Sequence, residues 1–599
     1  MNQLKKIIKK YFSSFTYFYS YLKYRIFLVI ALSILIGFLD GLGLTMFLPL
    51  LQMADGGTEA TGEGLGKLGF IIDAINSFGI QLNLKIALLI LFIFFSLKGI
   101  VVYFTSILKV NINRYFVSTL RINLTDLFTR YSYKVFVSSD VGRIQNSLTG
   151  EIGRVTNAYK YYSECIQQSI MVLVYTIFVF MVDWRFALLV CIGGGITNIF
   201  YGSIYKKTKK VSAELTKNSS GYQGLIIQYI SNFKYLKATG LLNKYAGKLK
   251  DKIKDIEENS KKIGILNARV TALREPMLIG VVCSVILFHI TMLGGKLESI
   301  LISLLFFYRA LAALMQFQNR YNSFLSLSGS LENITQFEKE LKKGKEKDGT
   351  IKFEKLNTKI VVKNIDFGYD QPDGILKKLN LEINKNQSVA FVGESGSGKT
   401  TLVNLISGLL KPNDGEVIVN DDNLEHFEKV TYQSRIGYIA QEPVIFNDSI
   451  FNNVTLWAEK TEENLERYFN AVKKASLLEF VDNLKNKENT LLGNNGINLS
   501  GGQKQRISIA RELFKDIDIL ILDEATSALD SETEKEIQTN IDELKGKYTI
   551  LIIAHRLSTI KNADVVYLMD KGSIVGQGSF EELTASSERF RKMVELQEI

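Results

Sequence analysis

A chain of 599 residues has room for three to five domain-sized units, and its hydrophobic share of 47% is ordinary. The average hides a division: six predominantly apolar windows crowd the first 340 residues and none follows, which excludes a wholly soluble protein. The net charge of +11 would suit nucleic acid, but the excess cations flank the apolar windows and face an anionic lipid leaflet, so no nucleic-acid partner is expected.

In chain order, Leu4, Ile7, Ile8, Tyr11, Phe12 and Phe15 recur at helical spacing, with Lys5, Lys6, Lys9 and Lys10 on the other face. That pattern predicts an interfacial helix on the inner leaflet. The apolar windows follow at 25–52, 84–110, 163–182, 185–205, 272–293 and 298–318, each near or above the roughly 20 residues an α-helix needs to cross a bilayer. No small-residue cleavage pattern follows the first of them, so no cleaved signal peptide is expected. Lys and Arg concentrate before the first window and in the long loops at about 111–160 and 206–270, whereas the 53–82 loop is acidic. The positive-inside rule then puts both termini and both long loops in the cytoplasm of a multi-pass protein of the cytoplasmic membrane. The long loops are patterned as helix. About 25 residues out and 25 back, at about 1.5 Å each, carry the spans roughly 35–40 Å beyond the bilayer, with turns near 138–143 and 229–235. Cys165, Cys191 and Cys283 lie in or beside apolar windows without metal-ligand spacing and read as small core residues.

Charges inside the windows are costly and face a cavity or each other. Asp40 in the first window and Lys98 in the second suggest a structural ion pair. Arg274, Arg309 and Arg320 lie on the last two windows or their cytoplasmic ends, with Glu275 as the one obvious counter-charge. Doubled by a second copy, these residues would form a basic belt along a substrate path. Arginine forks grip phosphate through two parallel hydrogen bonds, so the belt suits a phosphate-bearing amphiphile.

The lysine-rich stretch LKKGKEKDGT, 341–350, is a linker between membrane residues 1–340 and soluble residues 351–599. In the soluble part, strand-like runs (SVAFVG, DILILDE, YTILIIAH) alternate with helical stretches, an α/β pattern around a mostly parallel sheet. Between SVAFVG and the amphipathic KTTLVNLISGLL lies Gly393-x-x-x-x-Gly398-Lys399-Thr400, the P-loop spacing in its strand–loop–helix setting. The glycines let successive N–H groups wrap an anion, and the helix N-terminus adds its dipole. Gly393, Ser395, Gly396, Ser397, Gly398, Lys399, Thr400 and Thr401 are the expected ATP-binding set. Lys399 reaches the β- and γ-phosphates, and the Thr400 hydroxyl ligates Mg²⁺. DILILDE closes in two acids: Asp523 ends a strand placed beside the P-loop and holds Mg²⁺ through water, and Glu524, next along, polarises the attacking water as general base. Ser500, Gly501, Gly502 and Gln503 of LSGGQ open a second helix and make a second anion nest. One nucleotide does not need two nests on one domain, so two domains are expected to meet face to face.

Residues 351–599 resemble the nucleotide-binding domain of ATP-binding cassette (ABC) transporters, with P-loop, LSGGQ and ILILDE in the family's order and separations. The resemblance implies that Tyr369 in FGYD stacks on adenine and that Gln441 in YIAQEP senses Mg²⁺ and the attacking water. It implies further that Asp530, ending SALD, couples two sites and that His555 in IIAHRLS contacts the γ-phosphate. One membrane half and one cassette imply a dimer, homodimer or heterodimer, and the presence of Glu524 and His555 makes both sites of a homodimer competent. The whole chain is similar to the exporter type: an α-helical six-span transmembrane domain followed by an α/β P-loop NTPase. Asn494 departs from it, standing where exporters often carry a glutamate; this touches a charged contact between cassette and membrane half, not hydrolysis. The intramembrane charges are loosely similar to those of lipid-linked oligosaccharide flippases. The expected function is ATP-driven export or flipping of an amphipathic substrate, a lipid or lipid-linked glycan, by alternating access. Multidrug or peptide export is the alternative, and Glu524 and His555 argue against an ATP-gated channel or regulator.

Overall fold

A computed structural model describes residues 13–54, 66–77, 82–293, 301–369, 374–523, 531–553 and 560–595. It divides into two units, Met1–Tyr131 with Ser138–Lys345, and Ser132–Val137 with Glu346–Ile599. The main helices of the first are α1 (Ser13–Leu22), α2 (Arg25–Thr45), α3 (Leu84–Thr129), α4 (Gly150–Val182), α5 (Trp184–Ser231), α6 (Leu242–Leu293), α7 (Leu301–Leu325) and α8 (Ser328–Lys343). Among the described residues, five stretches are long and apolar enough to cross a membrane: all of α2, α3, α4 and α7, and Leu242–Leu287 of α6. The sixth expected window, 185–205, falls on α5, where several side chains, Cys191 included, lie outside the described set. Most of the interfacial pattern at 4–15 also lies outside it.

Helices α3, α5 and α6 run 46, 48 and 52 residues. At about 1.5 Å per residue they reach about 70–80 Å, against a hydrocarbon core of about 30 Å. The first hairpin turns through a short helix at Tyr133–Val137, earlier than expected, because Asp140 already caps the next helix by accepting from Arg143 N at 3.0 Å. The second turns through Phe233–Ala238, beside the expected place. Where the helix Val141–Leu148 meets α5, backbones touch: a Cβ on Gly142 would lie 2.4 Å from Gly224 Cα. Gly142→Ala therefore overpacks a rigid contact and is expected to cost about 1–3 kcal/mol, read as a lower thermal midpoint of the purified protein. Gly153→Ala, with nothing within 4 Å of its Cβ position, serves as the comparison without a clash and should hold or raise the midpoint.

In the second unit the strands are β1 (Lys359–Phe367), β2 (Leu376–Asn384), β3 (Ser388–Val392), β4 (Asp414–Val419), β5 (Asp422–Asn423), β6 (Ile436–Ile439), β7 (Ile519–Asp523), β8 (Thr549–Ile553), β9 (Val565–Asp570) and β10 (Ser573–Gly578). One sheet is antiparallel, in the order β2-β1-β4-β5; the other runs β10-β9-β3-β8-β7-β6, parallel from β9 to β6. Every residue of β3 and β8 is buried, as in a sheet covered on both faces. This order corrects one expectation. Strand β7, which ends in Asp523, is not beside the P-loop strand β3, because β8 lies between them. Crossover connections free spatial order from chain order, so the last of these three strands in the sequence takes the middle place. The short helix Tyr133–Val137 belongs to this unit: Lys134 Nζ donates to Gly368 O at 3.1 Å and Asn413 Oδ1 at 3.2 Å and lies 5.1 Å from the Phe367 ring centre.

Candidate functional site

Because β3, β8, β7 and β6 run in one direction, the loops leaving their C-terminal ends gather along one edge, where α/β sheets bind ligands. The P-loop leaves β3 there and Gln441 follows β6. Asp523 closes β7, in register with Ile553 at the end of β8. The expected Glu524, Asp530 and His555 lie outside the described residues.

The P-loop is shaped by glycine. Gly396 and Gly398 have φ of +84° and +100°, values that side chains resist. A Cβ on Gly393 would lie 2.2 Å from Met569 O, and one on Gly398 would lie 2.6 Å from Leu376 Cδ2. On Gly396 it would meet nothing within 4 Å, so the loop is backed by protein on one side and open on the other. Helix α9 (Lys399–Ile406) begins directly after Gly398. The Lys399 ammonium, on a side chain almost fully buried, donates to Gly393 O at 2.7 Å and Glu394 O at 3.1 Å. Ser395 and Thr400 are exposed and Thr401 is half-buried. Ser397 Oγ is buried without a hydrogen-bond partner among the described residues. A buried orphan hydroxyl, an ammonium held on loop carbonyls and an open concave face fit a polyphosphate with its counter-cation.

Two holders of this loop escape sequence reasoning. Gly572 N donates to Ser397 O at 3.2 Å, which ties the P-loop to the β9–β10 turn. Arg589, near the C-terminus, donates to Glu394 Oε1 at 3.0 Å and to Asp570 Oδ1 at 2.9 Å. No local spacing announces either contact. Asp523 is held by Tyr438, whose hydroxyl donates to Oδ2 at 2.9 Å. Burial, followed by the Asp523 charge, raises the Tyr438 hydroxyl above its usual range, so it stays a donor at neutral pH. The alternation of β6 carries no sign of this role. Tyr369 packs edge-on against Phe367 at 5.2 Å, and Gln441 is exposed.

LSGGQ opens helix α10 (Gly501–Phe514) as expected. Ser500 Oγ accepts from Gln503 N at 3.2 Å while Gln503 Oε1 accepts from Ser500 N at 2.9 Å, a complete capping box. Asn494 sits in a tight turn with Asn495 at φ +51°.

In the first unit, Lys98 Nζ and Asp40 Oδ1 form the ion pair their positions suggest, and Tyr175 donates its hydroxyl to Asp40 Oδ2. Arg274 pairs with Glu275 at 3.1 Å. Arg320 pairs with Glu164 at 3.0 Å, which corrects the reading of Glu275 as the one counter-charge: Glu164 comes from α4, far off in sequence. Arg309 makes no ion pair among the described residues and lies close enough to act on the Tyr175 hydroxyl. The structure thus brings Asp40 and Lys98 together and leaves the belt mostly neutralised.

Residues 376–527 match the family described as "ABC transporter", and residues 26–318 match "ABC transporter transmembrane region". The heterocyst differentiation ATP-binding protein HepA of a Nostoc species is 30% identical over 472 residues, 78% of this chain and 76% of that protein. An ATP-dependent lipid A-core flippase of Syntrophus aciditrophicus is 28% identical over 522 residues, 85% of each chain. One of Francisella tularensis subsp. holarctica is 30% identical over 460 residues, 75% of this chain and 74% of that one. A bacterial Atm1-family ABC exporter, solved with ATP bound, has the same fold, with a TM-score of 0.78 at 19% identity over 96% of this chain and 99% of its own. The chain belongs to the ABC transporters, as a fused half-transporter that couples ATP hydrolysis to transport.

Proposed function

We propose that this half-transporter flips or exports a phosphate-bearing amphiphile, a lipid or lipid-linked glycan, across the cytoplasmic membrane. The observation that carries this reading is the match along most of the chain to relatives named for flipping lipid A-core. Arg309, without an ion pair among the described residues and near the Tyr175–Asp40–Lys98 cluster, supplies a cation suited to a phosphate. With window 185–205 on α5 as a sixth span, both termini fall on one side of the membrane, and the Lys- and Arg-rich long loops favour the cytoplasm for them and for the cassette.

In the cassette, Lys399, Ser397 and the P-loop glycines bind the phosphates, and Tyr369 stacks on the base. Mg²⁺, where bound, is held by Thr400, Gln441 and Asp523 and neutralises phosphate charge. Glu524 and His555 act on the attacking water and the γ-phosphate. Two copies clasp two nucleotides, each between one P-loop and the other copy's Ser500–Gln503 turn, with Asp530 linking the sites. ATP drives the cycle only by binding the closed pair more tightly than the open one.

The test is ATPase activity of reconstituted protein against lipid-linked glycans, phospholipids, peptides and drugs. The phosphate-bearing amphiphiles should stimulate, and Arg309→Ala should raise the concentration for half-stimulation about tenfold, the worth of a charge-assisted hydrogen bond. Stimulation by peptides or drugs alone would replace this reading with a peptide or drug exporter.

A further inference from the structure

Midway along α3 and in the first half of α4, where the apolar window 84–110 ends, a cavity of about 230 Å³ opens among Lys109, Asn113, Tyr159, Lys160, Ser163 and Glu164. It is smaller than the roughly 300–1,000 Å³ that hold drug-sized ligands. Its size suits a head group, not an acyl chain. Lys109 lies eleven residues beyond Lys98 on one helix, about 16 Å along it. The cavity is therefore separate from the Asp40–Lys98 pair.

Its lining states the chemistry of the occupant. Lys109 donates to Gln167 Oε1, Lys160 stands exposed at the rim, and Glu164 is tied up by Arg320 at 3.0 Å. Two lysines thus line the cavity beside a carboxylate that Arg320 already pairs, and the surplus favours an anion. Asn113 Oδ1 is buried with no hydrogen-bond partner among the described residues. That oxygen accepts and cannot be satisfied by a bare phosphate diester; a hydroxyl on the occupant supplies the missing donor. The depth is also marked. Phe18 of α1 packs on Tyr159 at 5.3 Å, and Arg25, where α2 enters its apolar run, lies over the Tyr115 ring at 3.9 Å. These residues set the level at which an apolar span gives way to charge.

We propose that this cavity binds an anionic, hydroxyl-bearing head group, a phosphate ester of a polyol or sugar, at the inner face of the membrane. Lys109 and Lys160 take the phosphate and Asn113 accepts from the hydroxyl. The site stands whether that molecule is cargo or a resident lipid.

The experiment counts lipid retained by the full-length protein in native mass spectrometry. The probes are phosphatidylglycerol, phosphatidylmethanol (the same charge without a hydroxyl) and phosphatidylcholine, with soluble glycerol 3-phosphate as competitor. Phosphatidylglycerol should bind about tenfold more tightly than phosphatidylcholine. Lys109→Gln should erase that margin and Lys109→Arg should keep it, which separates loss of charge from loss of fold. Asn113→Ala should keep the charge preference and abolish an about fivefold preference for phosphatidylglycerol over phosphatidylmethanol. Competition by glycerol 3-phosphate at comparable concentration would identify a soluble phosphate ester as the occupant; its failure to compete identifies a lipid. Equal retention of all three lipids, or Lys109→Gln behaving as the parent, overturns the site. Failure of lipids to stimulate ATPase while Lys109-dependent binding persists overturns the proposed cargo and leaves the site intact.

Discussion

Glu524→Gln lowers ATP turnover by about a hundredfold or more and leaves nucleotide bound. The two effects separate because different parts of the edge carry them. Phosphate binding rests on the P-loop, where Lys399, the glycines and the orphan Ser397 hydroxyl are shaped by contacts with Met569, Gly572 and Leu376. None of those contacts passes through position 524. In the proposed mechanism turnover rests on Glu524, the residue after Asp523; the strand is buried along its length up to that aspartate, whose carboxylate is fixed by Tyr438. Glutamine keeps the size and hydrogen-bonding reach of glutamate but cannot take a proton, and a positioned general base is worth about 10²–10⁴ in rate. Phosphate release should fall accordingly, while gel-filtered protein should retain ATP at near one per chain. Hydrolysis at the parental rate would show that the base lies elsewhere on the sheet edge.

What the sequence made legible is what is local in the chain. The P-loop reads directly because its strand, loop and helix are contiguous, and the LSGGQ helix start reads for the same reason. Apolar windows read because crossing a bilayer demands an unbroken run. Spatial order does not read: nothing in DILILDE or YTILIIAH says that β8 slips between β3 and β7. The antiparallel sheet is also hidden. In β2, LKKLNLEIN, most of the buried residues alternate with exposed lysines, asparagine and glutamate, too polar a run to stand out beside β3 and β8. Partners across the fold escape as well, as with Glu164 for Arg320 and Arg589 for Glu394. The charges were visible, but their neutralisation depends on which helix faces which.

Asp40→Asn destabilises the protein by about 3 kcal/mol, and combining it with Lys98→Met recovers most of the loss. The carboxylate is 1% exposed and accepts from both Lys98 and Tyr175. Removing one member of a buried ion pair costs about 3–5 kcal/mol, because the remaining charge stays desolvated without compensation. The lower end applies here, since Lys98 keeps 26% exposure and can bend its long stem toward polar surroundings. Asparagine preserves the bond from Tyr175, so the cost isolates the charge. Lys98→Met alone should be the worse single change, because it strands the more deeply buried partner. The double variant leaves a methionine beside an amide and no charge, and because it recovers most of two losses of about 3 kcal/mol or more, the coupling across the cycle should come to about 5 kcal/mol. Chemical unfolding of the four proteins in detergent measures it. Additive losses would mean that the two charges do not stabilise each other at rest. Each would then be free to meet a substrate, and the pair would move from the scaffold to the transport path.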